Sequence, residues 1–316
     1  MPGPRILVIR FSSLGDVVHT LPAVATLKHN FPSSAITWII RPQWATLLEG
    51  NPHIDELIPF ARTRAGIQTA IRRLREQKFD LVVDFQGLIL SALLAAATRS
   101  QQIVGFRLGE ARERLASLVY STAVRTKGPH RVESYLDLVS AAGATNLVHE
   151  FALPSGASEG DLPRGNFVLV SPLAGWGSKQ WPLEYYSVLA QSLELPLVVN
   201  GPPAAEPTLR QIKGAHVHLS GIPGLIDATR RATAVIGVDS GPMHLAAALS
   251  KPGVAIFGPT DPLTHGPYGG SLKVLRAPSA VTSYKRRSEI DPSMRAIEPG
   301  AVLEALAAQK LDLQNA

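Results

Sequence analysis

Leu153-Pro-Ser-Gly-Ala-Ser-Glu-Gly-Asp-Leu-Pro-Arg-Gly-Asn166 is a run of proline, glycine and small polar residues without an apolar period. That is the composition of a linker, since such residues neither bury a face nor hold a regular backbone. On its N-terminal side, the apolar runs Ile6–Ile9, Ile36–Ile40 and Leu81–Val83 read as buried strands alternating with helix-patterned segments at Leu21–Asn30, Ile67–Gln77 and Leu90–Thr98. On its C-terminal side the pattern restarts, with strands at Phe167–Val170, Leu197–Val199, Val217–Leu219, Ala234–Val238 and Val254–Phe257. The sequence therefore predicts an α/β protein of two doubly wound, Rossmann-like lobes, residues 1–153 and 167–316, with residues 154–166 between them. In open α/β sheets ligands bind beyond the carboxyl ends of the strands, so the expected site is a cleft between the two lobes, lined by turns that follow strands.

Composition narrows the class further. The 316 residues are 45% hydrophobic and 18% charged, which suits packed cores and excludes a disordered chain. There is no cysteine, so disulfides, thiolate metal sites, iron–sulfur clusters and cysteine nucleophiles are excluded together. The longest apolar stretch, Leu88 to Ala97, is well short of the roughly 18 residues that span a bilayer. Arg5 and Arg10 bracket Ile6–Ile9 and leave no room for a signal-peptide core, so the expected compartment is the cytoplasm. A formal charge of +6 favours anionic partners: nucleic acid, phosphorylated metabolites or an acidic membrane face.

Four turns stand after predicted strands. Phe11-Ser-Ser-Leu-Gly-Asp-Val-Val-His-Thr-Leu-Pro22 carries Ser12, Ser13 and Gly15 in a tight turn whose N–H groups suit an anion, with Asp16 at the helix start. Asp16 reads equally well as a helix cap. The turn is neither a dinucleotide fingerprint nor a P-loop. Ser171 to Pro182 holds glycines at 175 and 177 and a point charge, Lys179, which is either a phosphate ligand or a solvated loop lysine. Val238-Asp-Ser-Gly-Pro-Met-His244 leads into a helix with Pro242 in its first turn, so the N–H groups near Ser240 and Gly241 form a site for a diphosphate. Ser240 stands one place too late for a nucleophile elbow, and His244 taken alone suits a core histidine. Phe257-Gly-Pro-Thr-Asp-Pro262 lines the same edge, and Glu206, after another strand, offers a carboxylate for ribose hydroxyls. Together these predict a nucleotide diphosphate held without a dedicated metal.

Arginine and lysine concentrate at Arg62, Arg64, Arg72, Arg73, Arg75 and Lys78, at Arg107, Arg112 and Arg114, and at Lys285-Arg-Arg287. They read first as solvated faces, second as a site for an acidic acceptor and third as nucleic-acid contacts, because no aromatic residues are interleaved.

The blocks Arg10 to Pro22, Phe79-Asp-Leu-Val-Val-Asp-Phe-Gln-Gly87, Ala111 to Tyr120, Lys179-Gln-Trp-Pro182 and Val238-Asp-Ser-Gly through Gly258-Pro-Thr-Asp-Pro262 resemble glycosyltransferase family 9, the ADP-heptose:lipopolysaccharide heptosyltransferases, and within it the heptosyltransferase I branch. The resemblance implies a GT-B fold, with acceptor lobe first, nucleotide-sugar lobe second and a final helix near Pro299–Gln309 packing back on the first lobe. It implies an inverting enzyme that moves heptose from ADP-heptose to a Kdo sugar of a Kdo-lipid A type acceptor, at the cytoplasmic face of the inner membrane, without metal, cofactor or nucleic acid. Asp16 would be the catalytic base and Lys179 would offset charge on the departing ADP. Asp239, Ser240, Gly241, His244 and Glu206 would bind the donor, and Ser12, Ser13, Gly15, Arg62, Arg64 and Arg112 the acceptor side. The alternatives are a family member with another acceptor, such as a heptosyltransferase II or an enzyme of another surface glycan, and a non-catalytic nucleotide-sugar binding protein.

Overall fold

The computed structural model of the chain describes residues 3–309, which divide into two compact units between Pro154 and Ser155. The first unit runs β1 (Arg5–Ile9), α1 (Leu14–Asn30), β2 (Ala35–Ile40), β3 (Glu56–Pro59), α2 (Arg64–Glu76), β4 (Leu81–Asp84), α3 (Ile89–Ala97), β5 (Gln102–Phe106), β6 (Thr122–Val124) and α4 (Arg131–Ala141). Its six strands lie parallel in the order β3-β2-β1-β4-β5-β6. Ile6, Leu7, Val8 and Ile9 of central β1 are all fully buried. A central strand of a parallel sheet is covered on both faces, and each such side chain contributes about 1.5–3 kcal/mol by leaving water.

The second unit runs β7 (Val168–Ser171), α5 (Leu183–Ser192), β8 (Leu197–Gly201), α6 (Glu206–Leu209), β9 (His216–Leu219), α7 (Ile222–Arg231), β10 (Ala234–Val238), α8 (Gly241–Ala248), β11 (Gly253–Phe257), α9 (Pro262–His265), β12 (Leu272–Arg276), α10 (Pro292–Arg295) and α11 (Pro299–Ala307). The order β12-β11-β10-β7-β8-β9 is again parallel and, counted from β7, repeats the winding of the first sheet. Each sheet thus has one switch point where successive connections leave in opposite directions, between β1 and β4 and between β7 and β10.

The sequence pattern did not single out β3, β5, β6 and β12. Three of these are sheet edges, where one side stays wet and the apolar run that marks a buried strand is diluted. Helix α1 begins at Leu14, seven residues before the expected Leu21, because the glycine and the mid-helix proline that suggested a turn are tolerated in a segment buried from Val17 to Leu27. The stretch read as a linker lies along the second unit: Ala157 N–H donates to Pro223 O (3.1 Å), and the His218 ring contacts Glu159 O (2.7 Å). The buried side chains of α11, Val302 and Leu306, belong to the core of the second unit, where α11 packs on α5, β11 and β12.

Candidate active site

At the first switch point Ile9 and Asp84 are paired ends of β1 and β4, so the turns that follow them are neighbours. Arg10 emerges from β1 and stays buried. Its backbone O accepts from Trp38 Nε1 (2.9 Å), one Nη donates to Phe85 O (2.5 Å), and its guanidinium lies 5.5 Å from the Tyr135 ring centroid. The other Nη meets Asp16 Oδ1 at 2.6 Å. Ser13, the N-cap of α1, donates both its backbone N–H (3.0 Å) and its hydroxyl (3.1 Å) to Asp16 Oδ2. Asp16 is therefore the reciprocal arm of a capping box at N3, and the cap and functional readings of this residue fall on the same carboxylate. Burial alone would raise its pKa, but Arg10 and the Ser13 N–H outweigh burial and hold the carboxyl well below the usual range. It is ionised at neutral pH, with its side chain a quarter exposed.

Behind this pair stands Asp84, fully buried. It accepts from Ser91 Oγ (2.7 Å), Tyr120 Oη (2.8 Å), Gln86 N (2.8 Å) and Gly87 N (3.1 Å). Burial pushes its pKa up against these four donors. Gln86 Oε1 in turn accepts the Phe11 N–H at 2.9 Å. The buried carboxylate thus fixes the Phe85–Gly87 turn, to which both Arg10 and Phe11 are tied. Gly87 has φ +65°, a backbone conformation that favours glycine, and a Cβ there would be in tight contact with Arg112 N at 3.2 Å.

At the second switch point Ser171 and Gly237 are paired near the ends of β7 and β10. The turn after β7 closes in a short 3₁₀ helix, Gly177–Lys179, anchored by the fully buried Trp181, whose Nε1 donates to Ile297 O (2.8 Å). Lys179 Nζ lies 2.6 Å from Asp239 Oδ2, an ion contact outside hydrogen-bond angles, and His244 Nε2 is 3.7 Å from Oδ1. Burial raises the Asp239 pKa, but His244 and Lys179 overcome it and leave the group well below the usual range. Ser240 caps α8, so Gly241 stands in its first turn and the open N–H groups face the end of β10. The hydroxyls of Ser178, Ser240 and Thr260 are buried at these strand ends and have no hydrogen-bond partner, a costly state that a bound polar ligand relieves. The Trp176 ring has Lys179 Nζ at 4.3 Å and the Arg286 guanidinium at 5.4 Å from its centroid. Arg286 arrives on a basic strap latched by Ser178 N–H to Arg287 O (3.1 Å) and by the Ser288 carbonyl, which fills the space where a Cβ on residue 177 would be.

Of the residues named from sequence, Ser13 and Asp16 meet at the first switch point, and Lys179, Asp239, Ser240, Gly241 and His244 at the second. Ser12 precedes the cap, and Gly15 is the second residue of α1 rather than part of the turn. Glu206 begins α6 after β8 and is paired with Arg210 at 2.8 and 2.6 Å. Arg62 and Arg64 are exposed at the start of α2, after edge strand β3, while Arg112 is exposed in the loop after β5 that folds back over Gly87. Sequence reasoning assigned no role to Arg10, Asp84, Trp176, Ser178 or Thr260. For Arg10 and Asp84 a signal existed: each is a charged residue at the carboxyl end of a wholly apolar strand, where a charge is kept only with a partner. Among the described residues no group of three or more His, Asp or Glu side chains is placed to hold a metal ion, and no helix is long and apolar enough to cross a membrane.

Comparison with known proteins identifies relatives of the chain as a whole. Residues 67–293 match the profile of glycosyltransferase family 9 (heptosyltransferase). The chain is 31% identical to lipopolysaccharide heptosyltransferase 1 of Pseudomonas aeruginosa, over 84% of this chain and 82% of that protein. It is 29% identical to lipopolysaccharide heptosyltransferase 1 of Escherichia coli, over 87% and 94%. The structure of E. coli heptosyltransferase WaaC with ADP-2-deoxy-2-fluoro heptose superposes with a TM-score of 0.77 at 25% identity, covering 96% of this chain and 99% of that one.

Proposed function

Since the chain belongs to glycosyltransferase family 9, a family of GT-B enzymes, we propose that it transfers L-glycero-D-manno-heptose from ADP-heptose to a Kdo sugar of the lipopolysaccharide inner core, with inversion at the anomeric carbon. The observation that carries this reading is the pair of switch points: one offers an ionised carboxylate, the other an ammonium beside a helix N-terminus and unpaired hydroxyls. The second unit holds the donor. Lys179, Arg286 and the N–H groups of α8 offset the charge that develops on the diphosphate as the C–O bond to it breaks, a task otherwise given to a divalent metal. Ser240, Asp239 and His244 contact the donor, and Glu206 takes part if its Arg210 pair opens toward the ribose.

The first unit serves the acceptor. As the acceptor oxygen bonds to the anomeric carbon and ADP departs, the hydroxyl proton passes to Asp16. Arg10 keeps Asp16 ionised and aimed while making it a weak base in the resting state, so proton transfer accompanies bond formation late. Arg62, Arg64 and Arg112 suit the carboxylates and phosphates of a Kdo-lipid A type acceptor. An acceptor of this kind brings the protein to the cytoplasmic face of the inner membrane.

The test is ADP release from ADP-heptose with and without Kdo-lipid A, with mass spectrometry of the lipid and a parallel assay containing a chelator. Acceptor-dependent release with one added heptose, unaffected by the chelator, is expected. Donor binding without transfer would move the acceptor elsewhere in the family, and absence of donor binding would overturn the reading.

A further inference from the structure

Helix α3 reads Ile-Leu-Ser-Ala-Leu-Leu-Ala-Ala-Ala and carries no charge. Its one hydroxyl, Ser91, is turned inward to Asp84. The outward residues are Ile89, Leu93 and Ala96, spaced i, i+4, i+7, so the solvent-facing side is as apolar as the packed side. A surface helix of a globular protein puts its polar residues there.

The 3₁₀ turn Arg114–Leu118 packs beside α3. Glu113 fixes it in place, its N–H donating to Gly87 O (2.9 Å) and its carboxylate accepting the Ile89 N–H (2.6 Å). This turn presents Leu115 and Leu118 outward, 62% and 77% exposed, and the preceding loop presents Leu108. Half of the ten large apolar side chains exposed among the described residues therefore fall between residues 89 and 118. Clustering of this kind marks a contact surface, whereas scattered exposed leucines do not.

Arginines accompany the patch. Arg112 and Arg114 stand between Leu108 and Leu115 in sequence, and α2, which packs on α3, exposes Arg72 and Arg75. Among the described residues none of these four forms an ion pair. Exposed apolar side chains accompanied by guanidinium groups fit the boundary of an anionic bilayer, with leucines in the acyl region and arginines on lipid phosphates. A second copy of this chain is a poorer occupant, because a two-fold contact sets a patch against itself and brings its arginines together.

We propose that the outer face of α3 and the Arg114–Leu118 turn dock the protein on an anionic phospholipid surface. The choice of a bilayer as partner rests on the lipid-linked acceptor proposed above; the patch itself does not. Sedimentation with vesicles of phosphatidylethanolamine and phosphatidylglycerol tests it, with phosphatidylcholine vesicles for comparison. The wild-type protein is expected to bind the anionic vesicles and to be released by salt. The double variant Leu93→Ser/Leu118→Ser should lose about tenfold or more in partitioning, as expected for two leucines withdrawn from the acyl boundary. Arg114→Glu should lose less in low salt and nothing further in high salt. All three side chains are exposed, so folding is not at stake, and ADP binding should equal that of the wild type. Equal partitioning of wild type and double variant, or no wild-type binding, would overturn the docking surface. So would a wild-type dimer that the double variant dissolves, which would reassign the patch to self-association. If vesicle binding behaves as expected while no heptose is transferred, the docking stands and the acceptor reading fails; transfer with vesicle binding indifferent to the substitutions gives the reverse.

Discussion

Each unit carries a cation–carboxylate pair 2.6 Å apart at the switch point of its sheet, and the two pairs are built in opposite senses. In the first unit the cation, Arg10, is the buried partner and the carboxylate of Asp16 is the more exposed one. In the second the carboxylate, Asp239, is buried and the ammonium of Lys179 is the more exposed. Even the anchoring is parallel, with a buried tryptophan N–H on a backbone carbonyl in each case, Trp38 to Arg10 and Trp181 to Ile297. One winding therefore presents two opposite charges. Which ion is sunk into the sheet decides whether the more exposed partner beyond it is a carboxylate or an ammonium.

Neutralising the carboxylate of the first pair should have the largest effect. Asp16→Asn preserves the shape of the capping box and removes the proton acceptor, so kcat is expected to fall by about 10²- to 10⁴-fold while ADP affinity, read by calorimetry, is unchanged. Unaltered turnover would reduce Asp16 to a helix cap. In the second pair, Lys179→Ala should weaken ADP binding by about tenfold to a hundredfold, the worth of a charged hydrogen bond at about 1.5–3 kcal/mol. It should also lower thermal stability, because Asp239 is left buried beside His244 alone. Retained affinity would remove the phosphate role.

Much of this was legible beforehand, and the parts that were not share a cause. The restart of the strand pattern after Asn166, and the turns bearing Asp16, Lys179 and Asp239, are visible because apolar runs and glycine-rich turns are local signals. The partners of those residues are not local. Arg10 binds Phe85 O across 75 residues of sequence, and Asp84 reaches Tyr120 across 36. No periodicity records such a pairing; only the sheet order that sets β1 beside β4 produces it. The Trp176–Arg286 contact is hidden in the same way, since the basic run at 285–287 looks like a solvated loop until Gly177 is seen to admit the Ser288 carbonyl.

A smaller effect sharpens the second pair. The Thr260 hydroxyl is buried without a partner, so Thr260→Val should leave the stability of the free protein equal or higher. If the hydroxyl meets the donor, ADP-heptose affinity should drop by about tenfold or less, at about 0.5–1.5 kcal/mol; destabilisation with no change in affinity would show that its partner is within the protein. The smallest effect is on the pH dependence of folding. Asp16 and Asp239 are lowered in the folded state, so their contributions are present above the ordinary carboxylate pKa of about 4 and are lost as pH falls through the lowered values. Asp84 is raised, so its contribution has the opposite sign and is lost as pH rises. Denaturant titrations from acid to neutral pH should therefore show a shallower acid decline for Asp239→Asn than for the wild type. For Asp84→Asn, stability relative to the wild type should improve toward neutrality.

The winding also has a consequence for how the chain is made. Every strand of the first sheet precedes every strand of the second, and late ties of the first unit, Asn30 to Asn146, Thr26 to Val148 and Asn51 to Ala152, run back to its earlier elements. A ribosome working from the N-terminus thus delivers the whole of the first unit before it begins the first strand of the second. No strand has to wait for a partner that is still untranslated in the other half, which shortens the time for which its edges are open to the wrong neighbour.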